Sequence, residues 1–276
     1  EVTSARRKFL KARRIALTPG THRETPFCQL IGTCGGCPWQ AIPRAVQQRT
    51  LEDAIHRAII ERCETRPKIE PLWSGAGREW RSTARLHWRG TELGYFKPGS
   101  HELVNIPHCP IMAPPLPGML TRIRTELLSV AGEGTLRLTA HPGASSGTVV
   151  VELAEPKAYA ATQAALEHMM MHPEFHGGVL EVDGKAPLHF GNAWNELGPD
   201  RVRHAAECFV QAHQAGSAQL VKDAVAAARG SRRVLELYAG SGNFTFALVD
   251  DGADVTAIEI DRVAAERLNA EAVRRG

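Results

Sequence analysis

The sequence predicts an α/β protein in two parts: a mixed α+β domain carrying a cysteine loop, then the opening of a doubly wound parallel sheet. Three observations predict it. From Ser217 the pattern runs helix, strand, glycine turn, helix, strand, helix, the order that winds a parallel sheet. Between Leu72 and about Pro110 the texture is short, β-favouring and broken by glycine. Three of the six cysteines, Cys28, Cys34 and Cys37, crowd into ten residues. A chain of 276 residues is long enough for two domains.

The elements follow in order. Residues 1–27 are basic and then loop-like at Thr18-Pro19-Gly20, with no buried core of their own. Arg6, Arg7, Lys8, Lys11, Arg13 and Arg14 stand against Glu1 alone in the first fourteen residues, while the whole chain carries only +3. Such a run suits a polyanion, because each neutralised phosphate releases counterions; a solvated basic face reads the same way. After Pro43, the Ala45, Leu51, Ala54, Ile55, Ala58 and Ile59 spacing predicts a helix within Gln40–Arg62. Ala84–Trp88 and Leu93–Phe96 read as strands, and Pro114–Pro117 as punctuation. Leu136–Leu138 and Thr148–Leu153 read as strands around a Gly143–Gly147 turn, Lys157–Met171 as a helix, and Val179–Asp183 as a strand. Val221, Ala224, Val225 and Ala228 mark a helix face. Val234–Tyr238 is a short buried strand, with a helix from about Asn243, a second strand at Val255–Ile260 and a helix over Arg262–Arg274. Two strands are too few to complete such a sheet, so the remainder is expected beyond Gly276. No apolar run reaches membrane-span length and no secretory leader is evident, which predicts an intracellular, cytoplasmic protein.

Cys28-x5-Cys34-Gly35-Gly36-Cys37 places three thiols on one tight loop, and Cys109, followed by Pro110, is the candidate fourth. A reducing compartment argues against disulfides, and four thiolates suit either structural zinc or an iron–sulfur cluster. Cys63, among apolar helical neighbours, reads as a core thiol. In the second region, Gly240-x-Gly242 after a buried strand lets backbone approach a nucleotide, and the next helix offers unpaired N–H groups. Glu259, seventeen residues beyond Gly242, is placed to accept hydrogen bonds from ribose hydroxyls. Thr245 stands where a dinucleotide fingerprint has its third glycine, which leans toward S-adenosylmethionine, a cofactor without a pyrophosphate.

Four segments, in order, resemble the RNA uridine-5-methyltransferases that modify ribosomal and transfer RNA. Phe27-Cys28 through Cys34-Gly35-Gly36-Cys37-Pro38-Trp39-Gln40 resembles the family's cluster loop. Leu93-Gly94-Tyr95-Phe96 through Gly99-Ser100-His101 to Ile106-Pro107-His108-Cys109-Pro110 resembles its central-domain signature. Phe209-Val210-Gln211 resembles the Phe-x-Gln that enters its methyltransferase domain, and Leu235 through Gly240-Ser241-Gly242-Asn243-Phe244 resembles its cofactor strand and turn.

The resemblance implies a Rossmann-like class I methyltransferase domain, a [4Fe-4S] cluster on Cys28, Cys34, Cys37 and Cys109, and S-adenosylmethionine contacts from Gln211, Tyr238, Gly240, Gly242, Asn243 and Glu259. It divides the chain into residues 1–27, the tail of an RNA-holding β-barrel with its linker; 28–205, the cluster-bearing central domain; and 206–276, the start of the methyltransferase domain. The helical stretch near 40–70 would pack on the last of these. The implied reaction is methylation of uridine C5 in structured RNA by a monomer, with 23S ribosomal RNA ahead of transfer RNA. A cysteine thiolate adds to C6, the methyl transfers to C5, and a base removes the C5 proton so that the cysteine leaves. Those two catalytic groups are expected beyond Gly276, and Cys208, which precedes the cofactor strand, does not substitute for the nucleophile. The chain departs from the family at His213 and Ser217, where asparagines often follow Phe-x-Gln, which weakens the assignment of Gln211. Two rival readings stand beside this one: a non-catalytic RNA-binding module, and an NAD-dependent oxidoreductase with a metal-binding insert.

Overall fold

A basic pair of strands opens the chain in the computed structural model, which describes residues 2–6, 9–12, 23–63, 67–130, 132–141, 143–198 and 201–276. Val2–Arg6 (β1) pairs antiparallel with Phe9–Ala12 (β2), and Arg6 lies over the Phe9 ring at 5.6 Å. Of the basic run, Arg6 and Lys11 fall in these strands; Arg7, Lys8, Arg13 and Arg14, and the Thr18-Pro19-Gly20 loop, lie outside the described residues. Helix α1 spans Arg44–Ile60, starting directly after Pro43, where a fixed φ is compatible with a helix entry. Gln48 and Glu52 on α1 tie down the extended segment ending at Leu72: Gln48 Nε2 donates to the Leu72 carbonyl (3.1 Å) and Leu72 N–H donates to Glu52 Oε1 (3.1 Å). No α1 residue is buried, and Leu51, Ile55 and Ile60 stay exposed. These elements belong to one compact unit, residues 1–31 with 37–72; residues 32–36 and 73–276 form another.

The second unit is built on a seven-stranded sheet. Its elements begin with β3 (Thr83–Arg89), β4 (Glu92–Phe96), β5 (Leu103–Asn105), α2 (Leu116–Glu126), β6 (Glu133–Ala140) and β7 (Gly147–Leu153). A 3-10 turn at Pro156–Ala158 leads into α3 (Tyr159–Met169), then β8 (Phe175–Val182) and β9 (Leu188–Gly191). The strand order is β5-β4-β3-β6-β7-β8-β9, antiparallel except for the parallel β7–β8 pair, which α3 bridges as a crossover. Alternating side chains put Ala84, Leu86 and Trp88 of β3 and Leu136 and Leu138 of β6 on one face. Leu116, Met119, Leu120 and Ile123 of α2 and Leu166 and Met169 of α3 cover that face, forming the main core. The opposite face carries a smaller cluster of Val150, Val179, Ala193 and Ala206.

Helix α2 was not foreseen: Pro114–Pro117 read only as punctuation. Prolines suit a helix start because the first-turn N–H groups have no intrahelical acceptor, and here Pro115 is the N-cap with a proline just inside.

The rest of the unit alternates. An antiparallel pair, β10 (Trp194–Leu197) and β11 (Val202–Ala205), precedes α4 (Gln214–Ala228), β12 (Arg233–Leu237), α5 (Thr245–Asp250), β13 (Asp254–Ile258) and α6 (Arg262–Arg275). β12 and β13 pair in parallel in full register, Arg233 opposite Asp254 through Leu237 opposite Ile258. The strand–helix–strand–helix reading therefore matches the observed order, and the chain is of mixed α/β class. α5 packs on β13 and α4, and α6 packs on β11 through Ala205, Cys208 and Ala264. Leu235, Leu237 and Ile258 remain more than half exposed on the strands' other face. No helix among the described residues is long and apolar enough to cross a membrane.

Candidate cofactor turn and cysteine loop

The β12 strand ends at Leu237 and leads straight into its turn. Tyr238 then takes a positive φ of 59°, unusual for a bulky residue, and its side chain is 87 % exposed. Ala239 N–H donates to the Ile258 carbonyl (3.1 Å), so the parallel pairing extends one step past the strand. Gly240 and Gly242 follow at φ 59° and 96°. At Gly242 a side chain would be strained twice, because a Cβ would also lie 2.4 Å from the Phe246 ring. The helix beyond starts at Thr245, later than about Asn243, and is only six residues long. Thr245, in place of a third glycine, donates its hydroxyl to Glu236 Oε2 (2.6 Å) and so links the helix start back to the strand. Burial pushes the Glu236 carboxyl above its usual range, and the Thr245 hydrogen bond opposes that rise.

Glu259 stands one residue past β13 and reaches across to this turn. Its Oε2 accepts from Gly240 N–H (2.7 Å), and its Oε1 accepts from the N–H groups of Ile260 and Asp261 (2.7 Å each). The N–H groups of Asp261 and Gly240 hold the carboxyl below the usual carboxylate range, so it is charged at neutral pH. Asp261 caps α6 by accepting from Ala264 N–H (2.8 Å). A fixed carboxylate thus faces a glycine turn at the carboxyl ends of two parallel strands, where open α/β sheets bind ligands. Asn243 joins the turn to α4 by donating to Ser217 Oγ (3.3 Å). Gln211 is exposed on the segment before α4, and no hydrogen bond among the described residues ties it to the turn. Cys208 is buried, its thiol pushed up by burial, the reverse of an activated nucleophile.

The cysteine loop has one part in each unit. In the first, Cys28 N–H donates to Gln40 Oε1 (2.8 Å), and Cys37 lies on the turn leading to Trp39 and Gln40. In the second, Gly36 N–H points at Cys34 Sγ (3.4 Å), and Gly35 N–H donates to the Phe96 carbonyl (3.1 Å). A Cβ on Gly35 would meet that carbonyl oxygen at 2.9 Å, so the strand end and the loop approach closely only with glycine there. Cys34 and Cys109 both bear electrostatically on Tyr95, whose hydroxyl is pushed up to about 12, chiefly by burial. The loop after Cys109 is pinned: Met112 N–H donates to the Cys109 carbonyl (3.1 Å), Glu79 N–H to Pro110 (3.2 Å) and Arg81 N–H to Ile111 (2.7 Å). Cys63 is exposed beyond α1, and the core position expected for it is not what the structure shows: the helix ends before it and buries no face.

Residues 200–274 match the family model described as tRNA (Uracil-5-)-methyltransferase. A 23S rRNA (uracil(1939)-C(5))-methyltransferase, RlmD, of Salmonella choleraesuis (strain SC-B67) is 30% identical over 291 residues, covering 100% of this chain and 64% of its own length. The RlmD of Aeromonas hydrophila is 27% identical over 285 residues, covering 94% of this chain and 62% of its own length. Along its whole length the chain is similar to the Salmonella 23S rRNA uracil-C5-methyltransferase. It spans about 64% of the Salmonella relative. The fold is shared with a tRNA (uracil-54, C5)-methyltransferase of Pyrococcus abyssi solved in complex with S-adenosyl-L-homocysteine. That likeness has a TM-score of 0.65 at 17% identity, over 90% of this chain and 63% of that one.

Several residues that position the signature segments gave no signal in the sequence. Arg124 of α2 donates through Nη2 to the Leu93 carbonyl (2.9 Å), Asn105 Oδ1 (2.8 Å) and the Ile106 carbonyl (2.5 Å), clamping β4, β5 and the approach to Cys109. Arg81 lies over the Trp80 and Tyr95 rings and donates to the Tyr95 hydroxyl (3.4 Å). His213, read as a departure from the family, caps α4 by accepting from Gly216 N–H (3.0 Å) and sits between the Trp73 and Trp80 rings. Ser217, the other departure, is the partner of Asn243. Both substitutions therefore have a structural use.

Proposed function

We propose that the protein methylates C5 of a uridine in structured RNA, 23S ribosomal RNA in preference to transfer RNA, using S-adenosylmethionine and carrying a [4Fe-4S] cluster. The observation that carries the reading is the Glu259 carboxylate held across the Gly240 turn, an acceptor pair built for a ribose diol beside backbone that accommodates a nucleoside. S-adenosylmethionine supplies an electrophilic sulfonium methyl group. Glu259 orients the ribose, Gly240 and Gly242 let the backbone approach, Tyr238 offers an exposed ring for the adenine, and Asn243 and Gln211 are the remaining polar contacts. The ribosomal preference rests on the RlmD relatives, of which the Salmonella one aligns along the whole chain.

The cysteines fit an iron–sulfur cluster by donor chemistry and by loop geometry. Four thiols are available at Cys28, Cys34, Cys37 and Cys109, and Gly36 N–H already points at the Cys34 sulfur, as N–H groups do toward cluster thiolates. Residues 1–27 hold RNA, 28–205 form the central domain and 206–276 open the methyltransferase domain. The protein works in the cytoplasm as a monomer.

The deciding experiment incubates the complete protein with methyl-labelled S-adenosylmethionine and unmodified 23S rRNA or tRNA, then digests the RNA for mass spectrometry. 5-Methyluridine in the ribosomal RNA is the expected product. Methylation of tRNA alone transfers the substrate assignment, and a methyl group on any atom other than uridine C5 overturns the reading.

A further inference from the structure

The C-terminal ends of α2 and α3 bring three metal-ligating side chains together, apart from the cofactor turn and the cysteines. Glu126 closes α2, His168 lies in the last turn of α3, and His172 follows four residues later. Glu126 divides its oxygens between the two rings: Oε2 lies 2.9 Å from His168 Nδ1, and Oε1 lies 3.4 Å from His172 Nε2. The imidazoles meet edge-on, with centroids 5.4 Å apart. All three ligand atoms lie within 4.8 Å of one another. For metal–ligand bonds of about 2.0–2.1 Å, tetrahedral ligands stand about 3.3 Å apart, within the range seen here.

A plain histidine–carboxylate pairing accounts for His168 but not for His172. The His172 Nε2 atom is sealed from solvent and makes no hydrogen bond among the described residues. A buried ring nitrogen without a hydrogen bond is costly, and two imidazoles converging on one carboxylate can be joined by a cation placed between them. The backbone under the group is already fixed. Ile123 and Leu127 flank Glu126 and Leu166 and Met169 flank His168, all four completely buried in the main core. His168 is half exposed, which leaves an entry path and room for water as a further ligand.

We propose that Glu126, His168 and His172 form a binding site for a divalent transition metal ion, zinc by its two-imidazole, one-carboxylate donor set, which clamps the end of α2 to the end of α3. Binding uses the Nδ1 lone pair of a neutral His168, whose ring proton then resides on Nε2, so the imidazole keeps its proton.

Zinc titration of the protein tests this by stoichiometry, because thiolates also take zinc. His168→Ala/His172→Ala should bind one zinc fewer than the parent, whereas Cys109→Ser should keep that ion. Glu126→Gln, which retains shape and hydrogen bonding, should weaken the same ion at least about tenfold. Broadening of the His168 and His172 ring signals by stoichiometric cobalt(II), ahead of the other histidines, is the second expected readout. Equal zinc stoichiometry in the parent and the double variant, or cobalt broadening that spares both rings, overturns the site. If the double variant does not fold, the cobalt experiment on the parent decides alone.

Discussion

Glu259 concentrates the cofactor argument in one carboxylate with three backbone donors. A hydrogen bond to a charged group contributes roughly 1.5–3 kcal/mol, so Glu259→Ala should weaken S-adenosylmethionine binding about 10- to 100-fold in the complete protein, measured by calorimetry. Unchanged affinity in a folded variant moves the ribose contact elsewhere. Cys109 makes the matching argument for the cluster. Anaerobically purified protein should be brown and contain iron and sulfide; Cys109→Ser should lose that colour, while Cys63→Ser, altering an exposed thiol, should keep it. Colourless protein with stoichiometric zinc bound to the cysteines would replace the cluster by a structural zinc ion.

At the scale of elements, the two turn glycines differ in what surrounds them. A Cβ at Gly240 meets nothing within 4 Å, so Gly240→Ala carries only the left-handed backbone strain, about 1–2 kcal/mol. Gly242→Ala adds the collision with Phe246 and should cost more, about 2–4 kcal/mol. Urea unfolding of the two variants orders them, and equal losses would mean the Phe246 ring moves freely aside. The same region shows why some elements were legible and others were not. β12, its turn, β13 and α6 announce themselves through short-range signals: an apolar run, paired glycines, then a second apolar run and a helical stretch. α2 escaped because the prolines that open it also signal a loop. The Arg124 clamp escaped for a different reason, since its acceptors lie 18 to 31 residues away and no local period encodes them. The motif cysteines were visible as a spacing, but their anchoring through Phe96, Glu79 and Arg81 comes from pairings between distant segments.

Across the whole molecule, buried histidines set how stability responds to acid. His204 on β11 is almost fully buried, neither ring nitrogen has a hydrogen-bond partner, and burial brings it down to about 4 against the weaker opposing charge of Glu271. Its folded value is below the ordinary 6.5, so the unfolded chain binds the proton first. Stability from this group is therefore complete above about pH 6.5 and is lost as pH falls toward 4, at up to about 1.4 kcal/mol per pH unit. His141 and His176, also lowered by burial, push in the same direction. His204→Leu should flatten the acid limb by close to one proton, leaving the slope due to His87, His141, His176 and the carboxylates held low, as followed by urea midpoints between pH 4 and 7. An unaltered limb would place the acid sensitivity elsewhere. The proposed RNA binding gives a second prediction at this scale. Because binding by basic segments releases counterions, it should fall linearly with the logarithm of salt concentration, and a salt-independent affinity would contradict phosphate-led docking.

The exposed face of the β12–β13 pair sets a clock. In this 276-residue chain Leu235, Leu237 and Ile258 meet water, and the parallel ladder among the described residues is two strands wide. Its amides are held by few buried contacts, whereas those of β6 and β7 lie inside a seven-stranded sheet with helices over the core. Deuterium should therefore enter the two ends of this chain's sheet system at very different times, first at Val234–Leu237 and Val255–Ile258, last at Leu136–Leu138 and Val149–Val151. Whatever ligand settles on the turn at Gly240 would lengthen the early interval and leave the late one unchanged.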